Sequence, residues 1–231
     1  MVEAAGLHAL TAEMHTGALT IATVCILLTA LCQIVVRHQK GMPPGLVKIA
    51  LGLRGYTDPV GLVAAIIGAI AICASAYFGM QAWSFDQLAS DPITRNKVLF
   101  TAIILAMWIG IAGMRMALTR QLWTCRPLAF LYTIFALAAF GLTAIVGSMG
   151  AHLTKGESSL DPFLKWIGFD YTKPIEFNAD LMIIAALAAV GVIILVCIAV
   201  RWYGLADQED ADYCEKRSGY SEPTMIEEED W

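Results

Sequence analysis

The sequence predicts an all-α protein, a polytopic integral membrane helical bundle with five transmembrane helices. Three observations predict it. Of the 231 residues, 58% are hydrophobic. Only 15% are charged, against about 25% in a typical soluble domain. Finally, the apolar residues gather into stretches of about 20, the length a helix needs to cross a ~30 Å hydrocarbon core.

The first span runs from about 17 to 36, the second from 59 to 83 and the third from 98 to 118. The fourth runs from 127 to 151 and the fifth from 179 to 203. Runs this long are helices rather than the ~10-residue alternating strands of a membrane barrel. Local punctuation supports the cuts. Asp58-Pro59 and Arg126-Pro127 place proline in a first helical turn, and Asn178 or Asp180 can cap the fifth span. Residues 1–204 therefore read as one transmembrane domain, and 205–231 as an acidic tail.

The charge pattern orients the bundle. Five spans put the termini on opposite sides. The N-terminal side receives Arg95, Lys97, Lys155, Lys165 and Lys173. The other side receives twice as many: Arg37, Lys40, Lys48, Arg54, Arg115, Arg120, Arg126, Arg201, Lys216 and Arg217. Lys and Arg collect on the cytoplasmic face. The expected placement is a cell inner membrane, with the N-terminus outside and the C-terminus cytoplasmic. A net charge of −5 without an isolated basic patch excludes ordinary nucleic-acid binding.

Small residues mark where helices should meet. Ala71, Ser75 and Gly79 recur at four-residue spacing, as do Ala144 with Ser148 and Gly147 with Ala151. Tyr77, Trp83, Trp123, Trp166, Trp202 and Tyr203 lie near span ends, where aromatic rings anchor in the interface. Between the last two spans, Ser159-Leu160-Asp161-Pro162 signals a short helix, followed by an apolar run through Phe169. That piece is expected to lie in the membrane surface or to roof a site between helix ends.

Chemistry centres on histidine. His15 stands about half a turn before the first span, and His152 about half a turn beyond the fourth. Both are expected on the outer side at similar depth. If the two helices are neighbours, the imidazoles could hold one haem iron, or one copper or zinc ion. Met14 and Met149 flank the pair as soft ligands, and Gly147, Gly150 and Ala151 leave room for a flat macrocycle. His8 reads as solvated and His38 as part of the basic inner flank. Arg115 reads as snorkelling toward the interface. No CxxC, nucleotide loop, H-E-x-x-H or G-x-S-x-G occurs, so no motif assigns a reaction to the lone chain.

The first four spans resemble an uncharacterised family of four-helix bacterial and archaeal membrane proteins. In that family the first helix opens with a His, the second ends near a Gly and an acid, the third opens with a His, and the fourth ends in a Gly-rich turn. Here His15 matches the first feature and Gly79 to Asp86 the second. Gly147-Ser148-Met149-Gly150-Ala151-His152 matches the last, while Asn96-Lys97 stands where the third helix would carry its His. The resemblance covers about residues 14–156 and implies a cofactor role for such histidines.

The expected function is an integral membrane subunit, anchor or accessory, of a respiratory or photosynthetic electron-transfer complex, with one haem b on the outer side. Its partners would be the lipid bilayer, other membrane-complex subunits and a basic partner for the tail. That tail carries ten acids from Asp207 onward against Lys216 and Arg217. The alternatives are a small-solute channel or transporter using Thr23, Thr29, Gln33, Ser75, Thr101, Thr133 and Thr143, or a membrane sensor or assembly factor.

Overall fold

A computed structural model describes residues 3–119 and 121–172. The fifth span and the acidic tail lie outside these residues. The described chain contains four helices long and apolar enough to cross a membrane. They are α1 (Ala4–Arg37), α2 (Pro44–Ala82), α4 (Pro92–Leu118) and α6 (Arg126–Lys155). Three short helices fill the connections: α3 (Phe85–Ser90), α5 (Gln121–Thr124) and α7 (Asp161–Trp166).

The long helices run up and down as a closed bundle, α1 against α2, α2 against α4, α4 against α6, and α6 back against α1. Sequential antiparallel neighbours follow from short connections. The core holds Leu19, Ala22 and Ile26 of α1, Ala64, Ala65 and Ile72 of α2, Ile104, Trp108 and Ile111 of α4, and Ala136, Ala139 and Val146 of α6. The outer faces are apolar as well. Ile21, Val24, Leu31, Val63, Ile67, Ile70, Ile109, Phe130 and Leu131 all stand exposed. Helices apolar on both faces, with no polar stripe for water, belong in lipid.

Helix boundaries differ from the sequence reading in one direction. α1 starts at Ala4 and α2 at Pro44, so both run well past the apolar windows. Pro59 lies inside α2 rather than at its start. Charge and proline at 54–59 looked like a boundary; tertiary partners for Arg54 and Asp58 let the helix continue instead. At 39 residues α2 is about 58 Å long at ~1.5 Å per residue, nearly twice the hydrocarbon thickness. α4 starts at Pro92, where the Asp91 carboxylate accepts from the Thr94 backbone N–H at 2.7 Å. α6 starts at Arg126, as its proline implied.

The α1–α2 seam depends on missing side chains. A Cβ on Gly61 would lie 3.0 Å from Cys25 Cβ and 3.6 Å from the Ala22 carbonyl oxygen. Gly61→Val should therefore separate the helices at a cost of about 1–3 kcal/mol, the usual range for overpacking. Gly113, with nothing within 4 Å of its Cβ position, is the matched control. Equal melting temperatures for Gly61→Val and Gly113→Val in mild detergent would refute this view of the seam.

Candidate functional site

Polar chemistry collects at the two ends of the bundle. The N-terminal end holds His8, His15, Lys97, His152 and segment 156–172. The opposite end holds Gln33, Arg37, Arg54, Asp58 and Arg115.

His15 is half-buried on α1, with its Nδ1 3.3 Å from the Thr11 carbonyl oxygen. A carbonyl only accepts, so Nδ1 carries a proton, and in the neutral form of the ring the lone pair is on Nε2. The charges His15 feels are those of Lys97 and His8. His8, expected to be solvated, is instead packed on α2. Its Nδ1 lies 2.7 Å from the Ser75 carbonyl oxygen, its ring stacks edge-on to Trp83, and Gly79 leaves space beneath it. The Ala71-Ser75-Gly79 stripe is buried as anticipated, and at Ser75 and Gly79 it faces α1.

His152 sits near the end of α6, three residues before its last. The helix closes on Gly156 at φ 79°, whose N–H donates to the His152 carbonyl at 2.8 Å. That left-handed residue turns the chain back along the bundle. Segment 157–172 then packs on α4 and α6, with Leu164 and Tyr171 against Met149, Ile93 and Phe100. Asp161 fastens it. Its carboxylate accepts from the Tyr171 hydroxyl, from the Ser158 N–H at 2.9 Å and from His152 Nδ1 at 3.1 Å. Ser148 Oγ donates to Ser158 Oγ at 2.8 Å, joining the helix to the same network. Burial pushes the Asp161 carboxyl up, but the donors from Tyr171, Ser158 and His152 outweigh it and hold the group at about 2. Burial, then the bond to Asp161, pushes the Tyr171 hydroxyl up.

The segment is amphipathic as the sequence implied. Leu164 is buried, while Phe163, Trp166 and Ile167 are exposed where an interfacial helix would meet lipid. Met149, a candidate soft ligand, is wholly buried against Leu164 and Tyr171. Met14 is half-exposed.

The two singled-out histidines thus share one end of the bundle, on helices that touch. Both place Nδ1 against an acceptor, and among the described residues neither Nε2 makes a hydrogen bond. Their surroundings differ, however. His15 is bonded to its own helix at Thr11 and lies within electrostatic range of Lys97 and His8, whereas His152 contacts Asp161 and Tyr171. Among the described residues no hydrogen bond or ring contact joins them, and no group of three or more His, Cys, Asp or Glu is placed to hold a metal ion.

The opposite end corrects two expectations. Arg115 does not snorkel. Its Nε donates to Asp58 Oδ1 at 2.7 Å and its Nη2 to Asp58 Oδ2, a bidentate pair between α4 and α2. Trp123 is no interfacial anchor: it is 1% exposed, and its Nε1 donates to Asp58 Oδ1 at 2.9 Å. Arg37 of α1 donates to the Trp123 and Thr124 carbonyls at 2.5 and 2.8 Å, so this corner ties α1, α2, α4 and α5. Arg54 donates to Gln33 Oε1 at 2.6 Å. Of the hydroxyls that might have formed a polar path, Ser75 meets His8 and the threonines bond back to their own helices. Thr23, Thr29, Thr101, Thr133 and Thr143 each donate to the carbonyl four residues back. Asp58 could have been found as the one acid inside a long apolar pattern. Nothing local pairs it with Arg115, 57 residues away.

No family model, curated protein or solved structure matches the chain. Fold and surface define its class: a multi-pass helical membrane protein, with a histidine-bearing end roofed in part by a latched segment.

Proposed function

We propose that the chain is an integral membrane subunit, anchor or accessory, of a respiratory or photosynthetic electron-transfer complex of the cell inner membrane. In this reading the N-terminus is outside, the C-terminal tail meets a basic partner in the cytoplasm, and one haem b binds at the outer end through His15 and His152. The observation that carries the reading is the state of those two rings on neighbouring helices. Each places Nδ1 against an acceptor, which makes Nε2 the nitrogen available to a metal. A carboxylate or carbonyl behind a ligating imidazole fixes its tautomer and raises its basicity, the usual support of a metal-bound histidine. Asp161 stands in that relation to His152, and the Thr11 carbonyl to His15. A haem iron would supply one-electron transfer; the chain's part is to aim two imidazoles and exclude water. A shared iron requires both Nε2 atoms to converge.

The inward-turned hydroxyls disfavour the channel alternative. Native purification in mild detergent is the test. The expected result is a Soret band together with co-purifying redox subunits. His15→Ala and His152→Ala should each abolish the band while the helical circular dichroism remains. Absence of a Soret band from the native protein would remove the haem, and migration as a lone monomer would remove the subunit role.

A further inference from the structure

The long second helix carries an apolar stripe that lipid does not account for. Leu46, Ile49, Leu53 and Tyr56 stand exposed on α2 at alternating steps of three and four residues. Val60, Val63, Ile67 and Ile70 continue the same spacing and are also exposed. A period of 3.5 residues, held without a break, is the pattern of a coiled-coil seam. The stripe also runs too far for the bilayer alone. Lys48, Arg54 and Asp58 all lie in the first half of α2, and residues 59–82 carry no charge. That uncharged stretch fills the ~30 Å hydrocarbon, which takes about 20 residues, and puts 44–58 beyond it. Ile49, 66% exposed, then stands about 15 Å outside the hydrocarbon at ~1.5 Å per residue. Apolar side chains gathered on a surface in water mark an interaction site.

We propose that this stripe is a homodimer seam, with α2 of one copy packed along α2 of a second copy. Copies inserted the same way in one membrane pair in parallel, about a two-fold axis along the membrane normal. In such a pair identical residues meet, so charge beside the stripe would oppose it. The residues flanking the stripe, from Ala50 and Gly52 near one end to Ala71 and Cys73 near the other, carry no charge. Nothing there repels an identical helix, and no charge selects a different partner. Gly52 has nothing within 4 Å of its Cβ position, which leaves room for a second backbone. Exposed Tyr77 extends the register, so the seam is about 46 Å long. A strip about 10 Å wide covers roughly 500 Å² per copy, which reaches the ~1,000 Å² total that a specific interface needs. The seam is independent of any haem at the histidine-bearing end.

The test uses the full chain, in mild detergent and in phosphatidylcholine vesicles. Light scattering in detergent should give the mass of a dimer. Ile49→Glu/Tyr56→Glu sets like charges across the seam and should weaken the dimer roughly tenfold or more. Both positions are exposed, at 66% and 77%, so the helical circular dichroism should hold. Cross-linking reads the seam without a charge. In a Cys73→Ser background, Ile49→Cys should form a disulfide-linked homodimer in vesicles under oxygen and copper phenanthroline. Leu51→Cys, exposed at the same height but off the stripe, should not. A monomeric mass with no Ile49→Cys homodimer, a dimer indifferent to the two glutamates, or equal cross-linking from Leu51→Cys overturns the proposal. So does a bond from Ile49→Cys to a different protein, or to Cys197 or Cys214 of its own chain, since the stripe would then have another occupant.

Discussion

Arg115→Met should destabilise the bundle by about 3 kcal/mol, the low end for breaking a buried ion pair. Asp58 and Arg115 are only 15% and 16% exposed. Without the guanidinium, Asp58 keeps one donor among the described residues, the Trp123 indole N–H, for a largely desolvated carboxylate. That leaves most of its charge uncompensated. Asp58→Leu should be costly for the mirror reason, leaving Arg115 stranded and the Trp123 indole unpaired. The double variant Asp58→Leu/Arg115→Met should be less destabilised than either single, because no charge is then left buried. Thermal unfolding in mild detergent reads all three. Singles within about 0.5 kcal/mol of wild type, the range of ordinary surface substitutions, would mean the pair is idle.

Asp161→Asn should release segment 156–172 from the ends of α4 and α6. The carboxylate accepts from the Tyr171 hydroxyl, the Ser158 N–H and His152 Nδ1, with Ser148 Oγ a longer fourth donor at 3.4 Å, and an amide has one oxygen and no charge with which to replace it. Amide hydrogen exchange across 156–172, and tryptic cleavage at the exposed Lys165, should rise on the order of tenfold or more. The bundle itself should stay folded. Unchanged protection in Asp161→Asn would show that apolar packing of Leu164 and Tyr171 holds the segment alone. The pH dependence has a definite sign. Asp161 is lowered to about 2 in the folded protein, from about 3.9 in an unfolded chain. Its contribution is fully present above the unfolded value and is lost as pH falls from about 4 through about 2. Tyr171 is raised, so its share is present below the unfolded value near 10 and is lost only as pH climbs beyond that. Protection should be flat from about pH 5 to 9.

The membrane class, the four long helices among the described residues, the proline at the start of α6 and the amphipathic α7 were all legible in the sequence. Each follows from local chemistry: apolar length, a fixed proline φ, a turn residue before a periodic run. The buried Ala71-Ser75-Gly79 stripe was legible for the same reason. The start of α2 was not. Arg54, Asp58 and Pro59 look like a helix boundary until Gln33 and Arg115 are brought beside them.

His15 and His152 could be singled out by type and depth, and their helices prove to be neighbours. That Nδ1 meets an acceptor could not be foreseen for His152, because Asp161 arrives on a chain reversal set by Gly156. Local residue order determined which segments enter lipid, since hydrophobic transfer depends on each stretch alone. Only tertiary packing decided which charges are paired, as Arg115 is with Asp58, since that depends on partners dozens of residues away.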